Sequence, residues 1–437
     1  MNRIQQALSL LDKKRRRDLR RCYSARRRRK RFGDKPVIAV TGSVGKTTAV
    51  RFLQHVLSAR RSALLYGHGR NSLEAAIAAL RRLRPHHDAV VVEAASRGPG
   101  TLRPILDLVE PTVGITTTVS TDHFTAFRTL ETTAEEKAEL ARAIPVNGLC
   151  LLNIDDEHVR AMASQTKGRV VFFGRSAGAE YRALDIVDVG LRGVQFTVRH
   201  DGSKTSFTVP VMGSHLVPSL LGAIGCAHRL GLSMGEIAAT AATFSPVPHR
   251  CSLHQLSSGQ IVISDTVKAP GGSVTAPFSL LDAIDAPRKT IVIGQISDYP
   301  GNQTRMYRSV CRAASERADR VILLKSKGKR IRMGIDTRPE MEFHLVEDWQ
   351  ALEALIAADC IPNEVILLKS SRNFHFERVL LDDVQSVSCR RAVCTATHQC
   401  DRCENLYDPE CRVREKPPRM LRERLPQHLL PPAPARA

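Results

Sequence analysis

From residue 35 onward, short apolar runs alternate with stretches of helical spacing. Residues 37–40, 89–92, 113–117 and 148–152 are apolar, β-branched and of the length of buried strands, whereas 47–59 and 134–143 carry a helical pattern. This alternation predicts a mainly parallel sheet with helices on both faces. Beyond Tyr181 the pattern changes. Residues 183–211 read as short alternating strands joined by turns such as His200-Asp-Gly-Ser203, an antiparallel appendage, followed by a helix over 217–230 that stops at Gly231. After Pro246-Val-Pro248 the strand and helix alternation restarts, with strands at 260–264, 290–293, 320–324 and 364–368, and predicts a second α/β domain. No internal repeat is seen. The resulting division is a basic leader at 1–35, a central domain at 36–247, a C-terminal domain at 248–385 and a Cys-, Arg- and Pro-rich tail at 386–437.

Charge sharpens this division. The chain of 437 residues carries a net charge of +21, a value that suggests nucleic-acid binding until it is located. Residues 1–35 hold 15 Lys/Arg against 3 acids and the tail holds 10 against 6, so the 350-residue body is nearly balanced. The blocks Lys13–Arg17 and Arg26–Arg31 suit an anionic membrane, nucleic acid or an acidic protein, or form a solvated arm. Ile4, Leu8 and Leu11 have amphipathic helical spacing. No apolar run is long enough to span a bilayer and no signal-peptide core is present, which places the protein in the cytoplasm, with peripheral membrane attachment open through the leader. The eleven cysteines are then expected to be reduced, with Cys150 and Cys226 as core residues. Cys389, Cys394, Cys400 and Cys403, close to His398 and Cys411, offer a C-x4-C and a C-x2-C pair, so the tail is either a zinc knuckle or a flexible reduced segment.

The chemistry starts at Val37-Ile-Ala-Val-Thr-Gly-Ser-Val-Gly-Lys-Thr-Thr48, where an apolar strand enters a glycine loop. Gly42 and Gly45 permit backbone amides to turn toward phosphate. Ser43, Lys46, Thr47 and Thr48 complete an ATP-binding loop in which Lys46, on a solvent-facing turn, reaches the terminal phosphates and Thr47 ligates Mg²⁺ at a helix start. Glu93 ends another strand and is a further magnesium ligand. Asp122-His123 and Asn153-Ile-Asp-Asp156 follow two more strands, and the strand ends of a doubly wound sheet share one edge.

The order of these motifs over residues 36–382 resembles the Mur ligase family, particularly the branch that adds D-alanyl-D-alanine to UDP-muramyl-tripeptide. Gly42-Ser-Val-Gly-Lys-Thr-Thr48 resembles its ATP loop and Glu93-Ala-Ala-Ser96 its magnesium segment. Thr121-Asp-His-Phe124 and Ala134-Glu-Glu-Lys-Ala-Glu139 resemble the stretch with a metal-binding histidine, His123, and a lysine that is often carbamylated, Lys137. Taken alone, Lys137 reads as a solvated lysine among Glu135, Glu136 and Glu139. Asn71 matches an asparagine near the metal site. Pro248-His-Arg250 and Ser264-Asp-Thr-Val-Lys-Ala-Pro270 resemble the segments whose Arg250 and Asp265 serve ATP, and Val365-Ile-Leu-Leu-Lys-Ser-Ser-Arg372 resembles a Lys-Gly-Ser-Arg segment.

The resemblance implies an ATP- and Mg²⁺-dependent acid–amino acid ligase of α/β class, with a mononucleotide-binding parallel-sheet domain and a Rossmann-like C-terminal domain, acting through an acyl phosphate. The chain departs from the pattern at His215-Leu216 and Ser219 and introduces Lys268 near the expected acyl-phosphate position. The 35 residues before the ATP loop are fewer than a domain requires, so the N-terminal sugar-nucleotide domain of the family is expected to be absent. Lys268, Lys369 and Arg372 accordingly suit a small anionic carboxylate and an amine as substrates. A poly-γ-glutamate-type polymer synthase and a degenerate ATPase scaffold are the alternatives.

Overall fold

Five consecutive buried side chains make β1 (Val37–Thr41) a strand that must be covered on both faces, as a central strand of a parallel sheet is. The computed structural model describes residues 13–66, 72–121, 124–324, 340–389, 391, 394, 399–403 and 405–407. The chain divides into two compact units. One comprises Met1–Leu184, Thr197–Thr205 and Pro218–Ala241, and the other Asp185–Phe196, Ser206–Val217 and Ala242–Ala437.

In the first unit β1 pairs in parallel with β3 (Ala89–Glu93) on one side and β4 (Val113–Thr116) on the other. The sheet that contains β1 has the order β2-β3-β1-β4-β5-β6-β7-β8-β9, with β2 at Ala63–Tyr66, β5 at Leu149–Asn153, β6 at Arg169–Gly174, β7 at Tyr181–Asp188, β8 at Val194–His200 and β9 at Ser203–Val209. The register Val40↔Glu93 and Thr41↔Thr116 places the ends of all three central strands side by side. Strands β1 to β6 pair in parallel, whereas the connections from β7 to β8 and from β8 to β9 are too short for anything but antiparallel pairing, as the sequence pattern predicts. The helix Lys46–Leu57 leaves β1 with Phe52, Leu53, Val56 and Leu57 buried, and the helix Leu130–Ala143 buries Leu140 and Ala141.

The leader is not a free arm. Lys13–Arg31 is one helix that packs on the helices Leu73–Leu80 and Arg103–Val109, with Ala25 fully buried and Phe32 nearly so. Arg29 is buried beneath it and donates to the carbonyls of Val109 (2.7 Å) and Glu110 (2.8 Å), which end the helix Arg103–Val109. Arg28 donates to Leu83 O at 2.7 Å. A guanidinium at a helix C-terminus satisfies carbonyls that have no partner within the helix and complements the negative end of its dipole. Arg17, Arg20, Arg26, Arg27, Lys30 and Arg31 stay exposed and give the helix a cationic outer face. Ile4, Leu8 and Leu11 lie outside the described residues, and among these no helix is long and apolar enough to cross a membrane.

The second unit holds a sheet of order β10-β11-β15-β12-β13-β14, with β10 at Ser252–Gln255, β11 at Ile261–Asp265, β12 at Lys289–Ile293, β13 at Arg320–Leu324, β14 at Glu342–Val346 and β15 at Val365–Lys369. All neighbours pair in parallel except β10 with β11. The tail, expected to be either a zinc knuckle or a flexible reduced segment, is packed in its described part: Val387, Cys400 and Leu406 join the core formed by Trp349, Leu352, Val379 and Leu380. His398 and Cys411 lie outside the described residues.

At the N-terminal edge of this sheet, residues that open or precede strands form a buried ionic network. Glu364 accepts from Arg288 (2.9 Å), Arg320 (2.7 Å), Gln260 (2.8 Å) and Thr290 (2.5 Å), and Asp359 also pairs with both arginines. Burial alone would raise the Glu364 pKa, but its four donors outweigh that and hold it below the usual carboxylate range. The contribution is therefore present above the ordinary glutamate value of about 4.3 and is lost as pH falls through the lower folded value. Glu364→Gln should cost about 3–5 kcal/mol in equilibrium denaturation at pH 7, because it leaves buried guanidinium charge uncompensated, and the difference from wild type should shrink in acid. A loss below about 1 kcal/mol would show that Asp359 alone carries the network.

Candidate active site

The phosphate loop is sewn to the end of β4. Ser43 N donates to Thr118 O at 2.7 Å, and Ser43 Oγ donates to Ser120 O (3.0 Å) while accepting from Ser120 N (2.9 Å). Thr117 Oγ1 donates to Val44 O at 2.7 Å, and Val44 N donates to Thr118 Oγ1 at 3.3 Å. Gly42 and Gly45 have φ of 138° and 84°. A Cβ at Gly42 would collide with Thr117 Oγ1, and one at Gly45 with Ser219 Oγ. Both glycines are thus required by backbone conformation and by close approach. The helix Lys46–Leu57 begins directly after Gly45, so its first amides face the loop, an arrangement suited to phosphate.

Lys46 departs from the expectation of a solvent-facing lysine. It is 6% exposed, and its Nζ donates to Gly42 O (2.5 Å) and Ser43 O (3.0 Å), because an ammonium folded beneath the loop must find acceptors and the loop carbonyls are the nearest. Thr47 Oγ1 donates to Glu93 Oε2 at 3.0 Å, and both residues are buried. A hydroxyl and a carboxylate converging at the head of a phosphate loop are the oxygen donors Mg²⁺ prefers, so this donor set fits the ion. Thr48 is buried in the same turn.

Lys137 is not a solvated lysine of a charged helix face. It is 2% exposed on the helix Leu130–Ala143, with Nζ 5.9 Å from the centre of the Phe127 ring. Its neighbour Glu136, also buried, accepts from Gly100 N (2.6 Å) and Leu102 N (2.7 Å) and so fixes the segment that follows Glu93. Asp156 accepts from Val119 N (2.6 Å) and caps the next helix through Val159 N (3.0 Å). Asn153 donates to Thr117 O at 2.8 Å. These residues brace the loop's anchor at 117–120. The sequence marks Asn153 and Asp156 by their position after a strand, but it gives no sign that Glu136 would differ from Glu135. Asn71 and His123 lie outside the described residues.

In the second unit the register Asp265↔Lys369 brings two candidate residues together at the C-terminal edge of β11 and β15. Lys369 Nζ donates to Asp265 Oδ2 (2.6 Å) and to Lys268 O (2.9 Å), so its charge is already partnered. His215 is close to this pair. Burial lowers its pKa to about 4, with Asp265 opposing and Lys369 reinforcing the shift, so the imidazole is neutral at neutral pH. Arg372 has its pKa lowered, first by burial and then by the nearby Arg250, so the two guanidiniums concentrate positive charge. Glu377 opposes that shift by its charge, and its Oε1 accepts from His375 Nδ1 (2.9 Å) and Cys400 N (3.1 Å).

Comparison with known proteins places this geometry. Residues 40–227 match the family described as Mur ligase middle domain. The UDP-N-acetylmuramoyl-tripeptide–D-alanyl-D-alanine ligase of Escherichia coli K12 is 26% identical over 350 residues, covering 79% of this chain and 76% of that protein. The enzyme of the same name from Mycobacterium tuberculosis H37Rv is 27% identical over 362 residues, covering 78% and 71%. In backbone, the chain is similar to MurF from Acinetobacter baumannii (TM-score 0.74, 22% identity, 84% of this chain and 80% of that one). It is also similar to the Thermotoga maritima MurF ligase in complex with ADP (TM-score 0.69, 19% identity, 83% of each). The family match begins inside β1 and runs through the loop, Glu93 and Lys137, while the curated relatives extend the similarity over most of the chain; residues 40–227 form a Mur ligase middle domain, and beyond it the chain is similar to ligases that carry the same domain.

Proposed function

We propose that the chain couples ATP cleavage to the condensation of a small anionic carboxylate with an amine through an acyl phosphate. The observation that carries this reading is the Thr47 hydroxyl 3.0 Å from the Glu93 carboxylate, at the head of a loop whose lysine is folded beneath it. Thr47 and Glu93 would hold Mg²⁺, with His123 and a carbamylated Lys137 serving a second ion; the metal supplies positive charge to the phosphate oxygens. Lys46 exchanges its two loop carbonyls for phosphate oxygens and offsets charge as the γ-phosphoryl group transfers, while the first amides of its helix orient the phosphates.

The substrate carboxylate oxygen attacks the γ-phosphorus, and ADP leaves. The amine then attacks the acyl carbon, phosphate leaves and a proton passes to solvent, so the products are amide, ADP and inorganic phosphate. Arg250 and Asp265 serve the nucleotide. Lys268, Asn71 and Arg372 serve the anionic substrate, and Lys369 orients Asp265 as well as adding charge. The relatives' names give UDP-N-acetylmuramoyl-tripeptide and D-alanyl-D-alanine as their substrates, so that pair belongs in the first screen with acidic amino acids and peptides. The cationic outer face of the leader helix suits an anionic partner.

The test is ADP formation across a panel of carboxylates and amines. It should require both substrates, and Lys46→Ala should lower it by about 10² or more. The lost loop hydrogen bonds contribute about 1 kcal/mol each, so the variant should still unfold cooperatively. ADP release that ignores the amine would leave only an ATPase, and an unchanged rate in Lys46→Ala would remove the loop from the chemistry. For Lys137, the alanine variant should be inactive and a short carboxylic acid should restore part of the rate by supplying the missing anionic ligand. Wild-type activity in Lys137→Ala would exclude the carbamate.

A further inference from the structure

The cysteines of the tail converge. Cys389, Cys394, Cys400 and Cys403 all line one small cavity of about 80 Å³, together with His375, Arg378, Arg391 and Asn405. They come from two chelating pairs, C-x4-C and C-x2-C, and the second pair is folded as a tight turn in which Cys403 N donates to Cys400 O at 3.0 Å. Backbone bonds hold three of the cysteines in place: Cys389 N donates to Leu406 O (3.1 Å), Cys394 N to Asn373 O (3.0 Å) and Cys400 N to the buried Glu377 carboxylate (3.1 Å). No disulfide links the described cysteines. The described ligand atoms that already lie within 4.8 Å of one another are those of His375, Glu377 and Cys400, and the four sulfurs, in two short-spaced pairs lining the adjoining cavity, are the donor type of a structural zinc site.

A second observation points to negative charge in the same place. Arg378 is fully buried and stacked 5.0 Å from the centre of the Trp349 ring, with hydrogen bonds to the carbonyls of Phe374 (3.0 Å), His375 (3.2 Å) and Arg391 (2.6 Å). Its Nη1 lies 3.8 Å from Cys389 Sγ. Among the described residues no carboxylate lies within ion-pair distance of this guanidinium, and a buried cation needs a compensating anion. Four thiolates around a divalent ion carry a net charge of about −2, which matches a neighbouring arginine, and hydrogen bonds to thiolate sulfur are the usual outer support of such a centre. His375 also borders the cavity, but its Nδ1 is paired with Glu377, whose carboxylate holds the Cys400 amide; the two anchor the turn.

We propose that Cys389, Cys394, Cys400 and Cys403 bind a single zinc ion, and that this centre fastens the C-terminal segment to the helix Glu377–Asp382. Binding transfers no electrons: each thiol loses a proton to solvent as its sulfur bonds to the ion, so affinity falls in acid. The proposal does not rest on the ligase reading, and its failure would leave that reading untouched.

The experiment is metal analysis of the full chain, purified reduced and without chelator, beside Cys400→Ser/Cys403→Ser and His375→Ala. Wild type should carry about one zinc per chain and the double serine variant almost none, while His375→Ala keeps its zinc. To separate loss of metal from loss of fold in the serine variant, Co²⁺ is exchanged into the wild type, where thiolate-to-cobalt charge-transfer absorption is expected. Absence of zinc both as purified and after reconstitution, iron in its place, no thiolate–cobalt band, or zinc lost from His375→Ala but kept in the serine variant would each overturn the four-cysteine site.

Discussion

Parallel pairing of β1 between β3 and β4 is the constraint on which the chemistry of the first unit depends. It brings the end of β3, Glu93, to the start of the helix that follows the loop, and the end of β4, with Thr117 and Thr118 just beyond it, under the loop itself. A loop this closely applied to another strand end leaves no room for side chains at Gly42 and Gly45. The same closeness lets Thr47 touch Glu93 and lets the lysine fold beneath its own backbone. Preorganisation of this kind favours catalysis because the donors need not be gathered at the moment of reaction.

The second unit divides its labour between the two ends of its parallel strands. At the N-terminal end, Arg288, Arg320, Asp359 and Glu364 compensate one another and the ionic network is structural. At the C-terminal end, where open α/β sheets bind ligands, Asp265 and Lys369 meet beside the neutral His215, and Arg250 stands near Arg372. The network at one end holds the unit together, whereas the charged groups at the other border the edge where such sheets take ligands.

Much of this was legible in the sequence, and the exceptions have physical causes. The buried central strands β1, β3, β4, β5, β12, β13 and β15 are continuous apolar runs and fall within a residue or so of their expected positions. The edge strands β2, β10 and β14 and the interior strand β6 were missed. An edge strand is short or polar on one side, and Glu342-Phe-His-Leu-Val346 has no run to detect. The leader was left open between a polyanion-binding segment and a solvated arm because its arginines dominate its composition, yet Ala25, Arg29 and Phe32 are enough to seat it. Lys46 and Lys137 were read as exposed or ambiguous lysines, since burial of a single lysine in a charged segment leaves no periodic trace. The glycines, Thr47 and Glu93 were legible because a glycine loop between a strand and a helix, and a carboxylate at a strand end, form a recognisable spacing. The tail shows the converse: its two cysteine pairs are visible in the sequence, but only the fold brings them to one cavity.

The most direct measurement is the affinity of the full chain for ATP, by calorimetry with and without Mg²⁺, in wild type and Glu93→Ala. The loop and Glu93 together should give binding that requires Mg²⁺, and the variant should lose at least about tenfold in the presence of the ion, about 1.4 kcal/mol, with little change in its absence. ATP affinity that is the same with and without Mg²⁺, or unaltered in Glu93→Ala, would contradict the assignment of this carboxylate and this loop to one nucleotide site.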